Sequence, residues 1–511
     1  MMSLFPTTVI VALILNAGST APGGEPDWAE VHNLTMRGID RLYNLEMDEA
    51  LATFDSVKAM APTDPRGYFF GSMVRFWQFS LTRTAKEYEA FIQNSEEVIA
   101  RCEEILDAND DDTMARFYLG GIYGYRGLAH HANNSMLRAV ADGKRGYSYL
   151  REAIERRPDL YDAQLGFGIF TYLSGKVPRT LRWIVSMLGF AGDVDTGLKM
   201  LQSAAEKGVY TRSEAAFFLS QFLFTEHRGE EAFAWIDQLI TKYPDNTLFL
   251  LMKSGWKSRE GKLDEALAAA QRAAEINARK KVPFGEEFAF STLGNLYFAR
   301  NDFVRSRECF ERFLTTVRSR EYAANRAYYR LGVAQEITGA RSLAVGTFAR
   351  VRPSENDEWG WSMYYYRRAL ERVTLPLSQG DILAIMADNE LGLKNYDSAR
   401  THLERALILT PGDPDLEARA LYSLMQLHFD QERFVESVEA GLRLVALKPS
   451  RETWLIPHGY YRLGRAYARL GRISEAREAF DRVDDFDDFD FQSSLEERVE
   501  EELTKLDSPA G

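Results

Sequence analysis

Arginine and tyrosine, rather than any nucleophile, are the side chains of this 511-residue chain whose spacing suggests chemistry. No GxSxG elbow, HExxH helix, Walker-type phosphate loop or paired CxxC occurs. Gly166-Phe-Gly168 lacks the third glycine of a dinucleotide loop and follows no strand pattern. His130 and His131 are adjacent, so on a helix their side chains diverge by about 100° and cannot share a metal. Asp107–Asp112 (DANDDD) resembles a calcium loop, but it lacks the glycine at the sixth place and has Tyr118 where the bidentate glutamate belongs. It reads better as an inter-helix turn that supplies the next N-cap. No catalytic group, metal or cofactor is therefore expected, and the chain reads as a non-enzyme. Binding chemistry is better represented: Asn295, then Arg326, Tyr329 and Arg330, then Tyr461, Arg462 and Arg465. Arginine forks hold carboxylates through paired hydrogen bonds, and tyrosine adds stiff contact area. The expected partner is an acidic or C-terminal peptide segment of another protein.

Those seven residues share one register, set by small residues near them. Leu463, Tyr467 and Leu470 recur at helical spacing, as do Ala476, Phe480 and Val483, and Gly471 breaks the pattern between them. Two short amphipathic helices joined by a tight turn form an αα-hairpin, with Gly464 and Ala476 where the helices approach most closely. The Gly464-to-Ala476 interval recurs from Gly38 to Ala50, Ser220 to Ala232, Gly294 to Ser306, Gly332 to Ala344 and Ala387 to Ala399. Pro62, Pro244 and Pro411 close copies at matching places. Positions three before and one after the small residue, with residues a turn earlier, face the groove, which selects the seven residues above.

The order small, large, aromatic, then alanine, then phenylalanine resembles the tetratricopeptide repeat. The expected fold is an all-α, tetratricopeptide-like α-solenoid of about eight to ten hairpins, too small to fold singly and stacked along a binding surface. Residues 28–160 form N-terminal hairpins, 161–212 a helical insert, 213–484 a C-terminal array, and 485–511 an acidic linker with a capping helix. The insert carries a narrower resemblance: a repeat ending at Pro158, a glycine-rich helix, Pro178 before the apolar stretch Leu181–Phe190, and LGFAGDVDTGLKML over Leu188–Leu201. It is similar to the tetratricopeptide family of outer-mitochondrial-membrane and inclusion-body-clearance proteins, which has bacterial relatives. That resemblance implies a scaffold linked to membrane surfaces, lipid droplets and protein quality control, with no catalytic residues. A peripheral membrane contact through 181–190 is its alternative expression.

A net charge of −13 opposes nucleic-acid binding, because phosphate contact needs clustered cations. The run Trp359–Arg368, basic and aromatic together, fits a first repeat helix with aromatics at its packing positions. Cys102 and Cys309 sit in helical patterns far apart and are expected as buried free thiols. At the N-terminus, Val9–Leu15 and the small residues Ala17–Ala21 have the form of a secretory signal over 1–21, so export to the periplasmic or extracellular side of a bacterium is expected, and a cytoplasmic place otherwise.

Overall fold

The structure, a computed structural model, describes residues 25–177, 192–280, 285–316, 321–353 and 360–507. The signal-like segment 1–21 and the apolar stretch 181–190 lie outside the described residues. Among the described residues every regular element is helical. The chain divides into two compact units, one of residues 1–42, 46–78 and 88–158 and the other of 43–45, 79–87 and 159–511.

In the first unit lie α1 (Trp28–Tyr43), α2 (Met47–Met60), α3 (Arg66–Thr82), α4 (Ala85–Ala108), α5 (Thr113–Ala132) and α6 (Met136–Arg156). Asp112 is the N-cap of α5, accepting a hydrogen bond from the Ala115 amide at 2.7 Å, so the acidic run is a capping turn. Among the described residues no cluster fit to hold a metal ion is found.

The second unit continues with α7 (Ala163–Gly175), α8 (Val194–Lys207), α9 (Arg212–Thr225), α10 (Gly229–Lys242), α11 (Thr247–Arg259), α12 (Leu263–Arg279), α13 (Glu286–Ala299), α14 (Phe303–Thr316), α15 (Glu321–Ile337) and α16 (Arg341–Phe348). Then come α17 (Trp361–Thr374), α18 (Gln379–Gly392), α19 (Tyr396–Ile408), α20 (Pro414–Asp430), α21 (Phe434–Val445), α22 (Leu455–Arg469), α23 (Ile473–Asp481) and α24 (Gln492–Asp507). Consecutive helices pair as hairpins, α7 with α8 and so on to α15 with α16, then α18 with α19, α20 with α21 and α22 with α23. The final helix α24 buries Leu495 and Val499 against the last hairpin and leaves its glutamates in water, as a terminal cap must.

The repeated small residue marks the place where the two helices of a hairpin nearly touch. A Cβ added to Gly464 would lie 2.5 Å from the Phe480 ring, and one on Gly332 or Gly38 would lie as close to Phe348 or Phe54. Each of those rings is almost wholly buried, and burying a phenylalanine contributes about 1.5–3 kcal/mol. Where serine replaces alanine on the second helix, its hydroxyl is satisfied across the gap: Ser306 Oγ donates to the Gly294 carbonyl at 2.9 Å and Ser437 Oγ to that of Met425 at 3.0 Å. The hairpin turn needs a left-handed residue, Gly471 at φ +73° in the last hairpin, and Lys394 and Glu432 adopt the same region without being glycine.

One element departs from the hairpin rule. The aromatic stretch does form a helix, α17, and it packs on α15 and α16 as the next first helix would. No second helix pairs with it among the described residues. Instead α18 begins a new hairpin and packs on α13, where Asn389 Nδ2 donates to the Phe298 carbonyl at 2.8 Å. The aromatic and basic residues of α17 are spent on tertiary partners rather than on a hairpin mate.

Candidate functional site

The tertiary partners of α17 belong to the last three hairpins and the cap. Tyr364 places its ring 6.2 Å from Trp454 and 5.3 Å from Phe491, and Trp361 is 4.6 Å from Phe491. Arg368 donates to the Arg451 carbonyl at 2.6 Å and lies 3.5 Å from the Glu452 carboxylate. Behind it Arg372 pairs with Asp381 at 3.0 Å, with both side chains almost fully buried. Burial would raise the Asp381 carboxyl, but the Arg372 guanidinium and the Ser378 hydroxyl and amide hold it below the usual carboxylate range. Asp415 is likewise held low against the effect of burial, by the amides of Arg451 and Glu452. These pairs fix α17 against the lead-in to α22.

A cavity of about 250 Å³ remains between α17 and the first helices of the three hairpins. Tyr364 closes one side, Asp388 and Leu391 of α18 another, Arg419, Tyr422, Ser423 and Gln426 of α20 the floor, and Glu452, Trp454, Leu455 and Arg462 the rest. The Asp388 side chain is 38% exposed, so the cavity opens to solvent. Arg419 is paired, at 3.1 Å to Asp388 and 3.9 Å to Glu452. Arg462 differs. Its Nη1 donates to the Tyr422 carbonyl at 2.7 Å and its guanidinium lies 3.6 Å from the centre of the Tyr422 ring. Among the described residues no carboxylate pairs with it, and burial lowers its pKa. The Trp454 indole Nε1 is also buried without an acceptor. Burial, with Arg498 and Arg462 adding to it, pushes His458 down to about 3, so that ring is neutral. The cavity thus presents a cation with spare donors among aromatic walls, and no nucleophile stands beside a base.

The seven residues selected from sequence fall into three groups. On α13 and α15, Asn295 Oδ1 accepts from Arg330 Nη1, and the Arg330 guanidinium lies 4.9 Å from the Phe298 ring. Arg326 is half-buried with its Nε unbonded, and Tyr329 rests against Phe348 and Tyr365, at 6.0 and 5.4 Å. On α22, Tyr461 faces the cap side, 6.0 Å from Phe480 and 5.4 Å below Arg498, while Arg465 lies over Phe429 at 4.7 Å. Arg462 alone of the seven lines the cavity.

Arg419, Tyr422 and Gln426 were within reach of the same register. Met425 and Ser437 stand at the interval of Gly464 and Ala476, so Tyr422 is three before, Gln426 one after, and Arg419 matches Arg326. The bulk of Met425 at a small-residue place hid the repeat. Asp388 follows Ala387 in the same way. Tyr364, Glu452 and Trp454 carry no such signal, because they arrive from the unpaired helix and from a lead-in loop.

Comparison with known proteins agrees with the repeat assignment. The profile of the Iml2/Tetratricopeptide repeat protein 39 family matches residues 162–313, and tetratricopeptide repeat profiles match 291–358, 386–452 and 457–488. No curated protein matches. Among solved structures, yeast Tom70 is 12% identical, with 88% of this chain and 96% of that one covered at a TM-score of 0.31. A human IFIT1 dimer with PPP-AAAA is 15% identical, with 90% and 94% covered at 0.35, and a tetratricopeptide repeat protein from Parabacteroides merdae 14% identical, with 56% and 97% covered at 0.27.

Proposed function

We propose that this tetratricopeptide-repeat chain, similar over residues 162–313 to the Iml2/Tetratricopeptide repeat protein 39 family, is a protein-interaction scaffold whose C-terminal hairpins take an acidic side chain or chain end of a partner in the cavity at Arg462. The observation that carries the reading is the Arg462 guanidinium, held by a neutral carbonyl and a ring yet paired with no carboxylate among the described residues. A buried cation of that kind is completed by an anion, and an arginine fork accepts a carboxylate in two parallel bonds. The cavity is smaller than the ~300–1,000 Å³ of small-molecule sites, which favours one anchoring group over a whole substrate. The role is one of binding rather than catalysis, and the net charge of −13 favours a protein partner over nucleic acid. The signal-like segment 1–21 supports a place outside the bacterial cytoplasm, which sequencing the mature N-terminus of protein purified from native cells tests.

The binding test uses an array of peptides bearing internal or C-terminal Asp and Glu, followed by fluorescence anisotropy on the best binder. Arg462→Gln keeps a donor for the Tyr422 carbonyl but removes the charge, and it should weaken binding about tenfold or more, the loss of a charge-assisted bond of ~1.5–3 kcal/mol. Arg330→Gln, whose guanidinium is held by Asn295 and Phe298, should leave affinity within about twofold, a change of ~0.4 kcal/mol. Equal loss in both variants, or none in Arg462→Gln, sinks the reading.

A further inference from the structure

The start of α6 presents an unusual surface. Met136 is 58% exposed, Leu137 89% and Val140 42%, the largest concentration of exposed apolar side chains in the first unit. Over residues 131–145 the other exposed side chains are His131, Asn133, Asn134, Arg138, Ala141, Lys144 and Arg145, with no carboxylate among them. The one acid of the stretch, Asp142, is buried and taken up by Arg126 at 2.9 Å and His130 at 3.2 Å. Arg145 lies over the Tyr123 ring and reaches Asp142 only at 4.0 Å, with 63% of its side chain exposed. In a chain of net charge −13, this tip is apolar and cationic only.

Its order along the helix is what identifies a partner. Met136, Val140 and Lys144 lie on one line of the helix and Leu137, Ala141 and Arg145 on the next. Both lines begin apolar at the N-terminal tip and end in a cation. Val140 and Lys144 are separated by about 6 Å along the axis, at 1.5 Å per residue. An interfacial helix buries its apolar part about 5–10 Å into the headgroup and acyl boundary, with its cations among the phosphates. We propose that the α5–α6 tip docks on the surface of an anionic phospholipid bilayer, with Met136, Leu137 and Val140 entering the acyl boundary and Arg138, Lys144 and Arg145 meeting lipid phosphates. A protein partner would not need apolar and basic side chains separated by depth, whereas a bilayer is layered in that order. The contact is independent of the cavity at Arg462 and leaves the C-terminal hairpins free.

The experiment places the environment-sensitive dye NBD at Leu137→Cys in the full chain with Cys309→Ser, Cys102 being buried. Vesicles of phosphatidylglycerol and phosphatidylcholine should shift the emission to the blue and raise it about threefold as the dye enters the acyl boundary. Phosphatidylcholine alone should do neither, and raised salt should weaken the response by screening. Adding Arg138→Glu, Lys144→Glu and Arg145→Glu should weaken partitioning about tenfold or more, with far-ultraviolet circular dichroism unchanged and acidic-peptide binding intact. Because the dye reports only its own position, other membrane-seeking segments do not mimic the signal. An unchanged emission with anionic vesicles overturns the proposal, as does an equal response to neutral ones. A blue shift that grows with protein concentration in the absence of lipid also overturns it, because a second copy would then cover the tip.

Discussion

Placing the same methyl group on two helical glycines should move stability in opposite directions. At Gly464 an added Cβ would lie 2.5, 2.6 and 2.8 Å from three atoms of the Phe480 ring, against the 3.5–4.0 Å of ordinary carbon contact. The ring is wholly buried and held by Tyr461 at 6.0 Å, so the hairpin must open by roughly 1 Å or the ring must leave its rotamer. Overpacking of that kind costs about 1–3 kcal/mol. Alanine regains about 0.8–1.0 kcal/mol of helix propensity over glycine, so Gly464→Ala should destabilise the last hairpin by about 1–2 kcal/mol. At Gly255, inside α11, an added Cβ meets nothing within 4 Å. Gly255→Ala should therefore stabilise by about 0.5–1 kcal/mol. In a stacked array each hairpin answers mainly to its neighbours, so the readout must be local. Hydrogen exchange followed by mass spectrometry should show faster opening across α22–α24 for Gly464→Ala and slower opening across α11 and α12 for Gly255→Ala. If Gly464→Ala protects its hairpin as Gly255→Ala does, the close approach assigned to the repeated glycine is wrong.

Acid should weaken the seat of α17. Asp381 and Asp415 are held below the ordinary carboxylate value of about 3.9, so their stabilisation is complete above that value and is lost as pH falls through the lower folded values. Urea midpoints between pH 6 and pH 3 should fall, and Asp381→Asn should both flatten that fall and cost about 3 kcal/mol at pH 7 by leaving Arg372 unpaired. A pH profile unaltered by Asp381→Asn would refute this. The thiols should be slow to alkylate: burial, aided by Glu308 and Asp302, pushes Cys309 up to about 11, and burial with nearby carboxylates pushes Cys102 higher still. At pH 8 native Cys309 should react with iodoacetamide about 100-fold more slowly than an ordinary thiol and Cys102 more slowly again, both recovering in urea. Labelling of Cys309 at the rate of a free peptide thiol would contradict it.

Much of the fold was legible because a hairpin is a local object. The Gly464-to-Ala476 interval, the phenylalanine facing each glycine, the capping role of Asp112 and the terminal helix all follow from residues close in sequence, where periodicity and turn chemistry act. The site was legible in fragments only. Arg462 was found because Gly464 marks its register clearly, while Arg419, Tyr422 and Gln426 were missed because Met425 stands where a small residue was sought. Tyr364 looked like an ordinary packing aromatic of a first helix, since a sequence shows which face of a helix is apolar but not which distant surface will cover it.

Composition, spacing and turn residues thus determined by themselves that this chain is helical, repeated and built of hairpins that need their neighbours. Only tertiary structure decided that α17 would go without a second helix, that Arg372 would find Asp381, and that Arg462 would be left facing a cavity with a carbonyl and a ring for company. The reason is one of range. Helix pairing depends on contacts a few residues to a turn apart and is written into each repeat, whereas the seat of an unpaired helix depends on charges and rings brought together from α17, α18, α20 and α22, whose separation along the chain leaves no periodic mark.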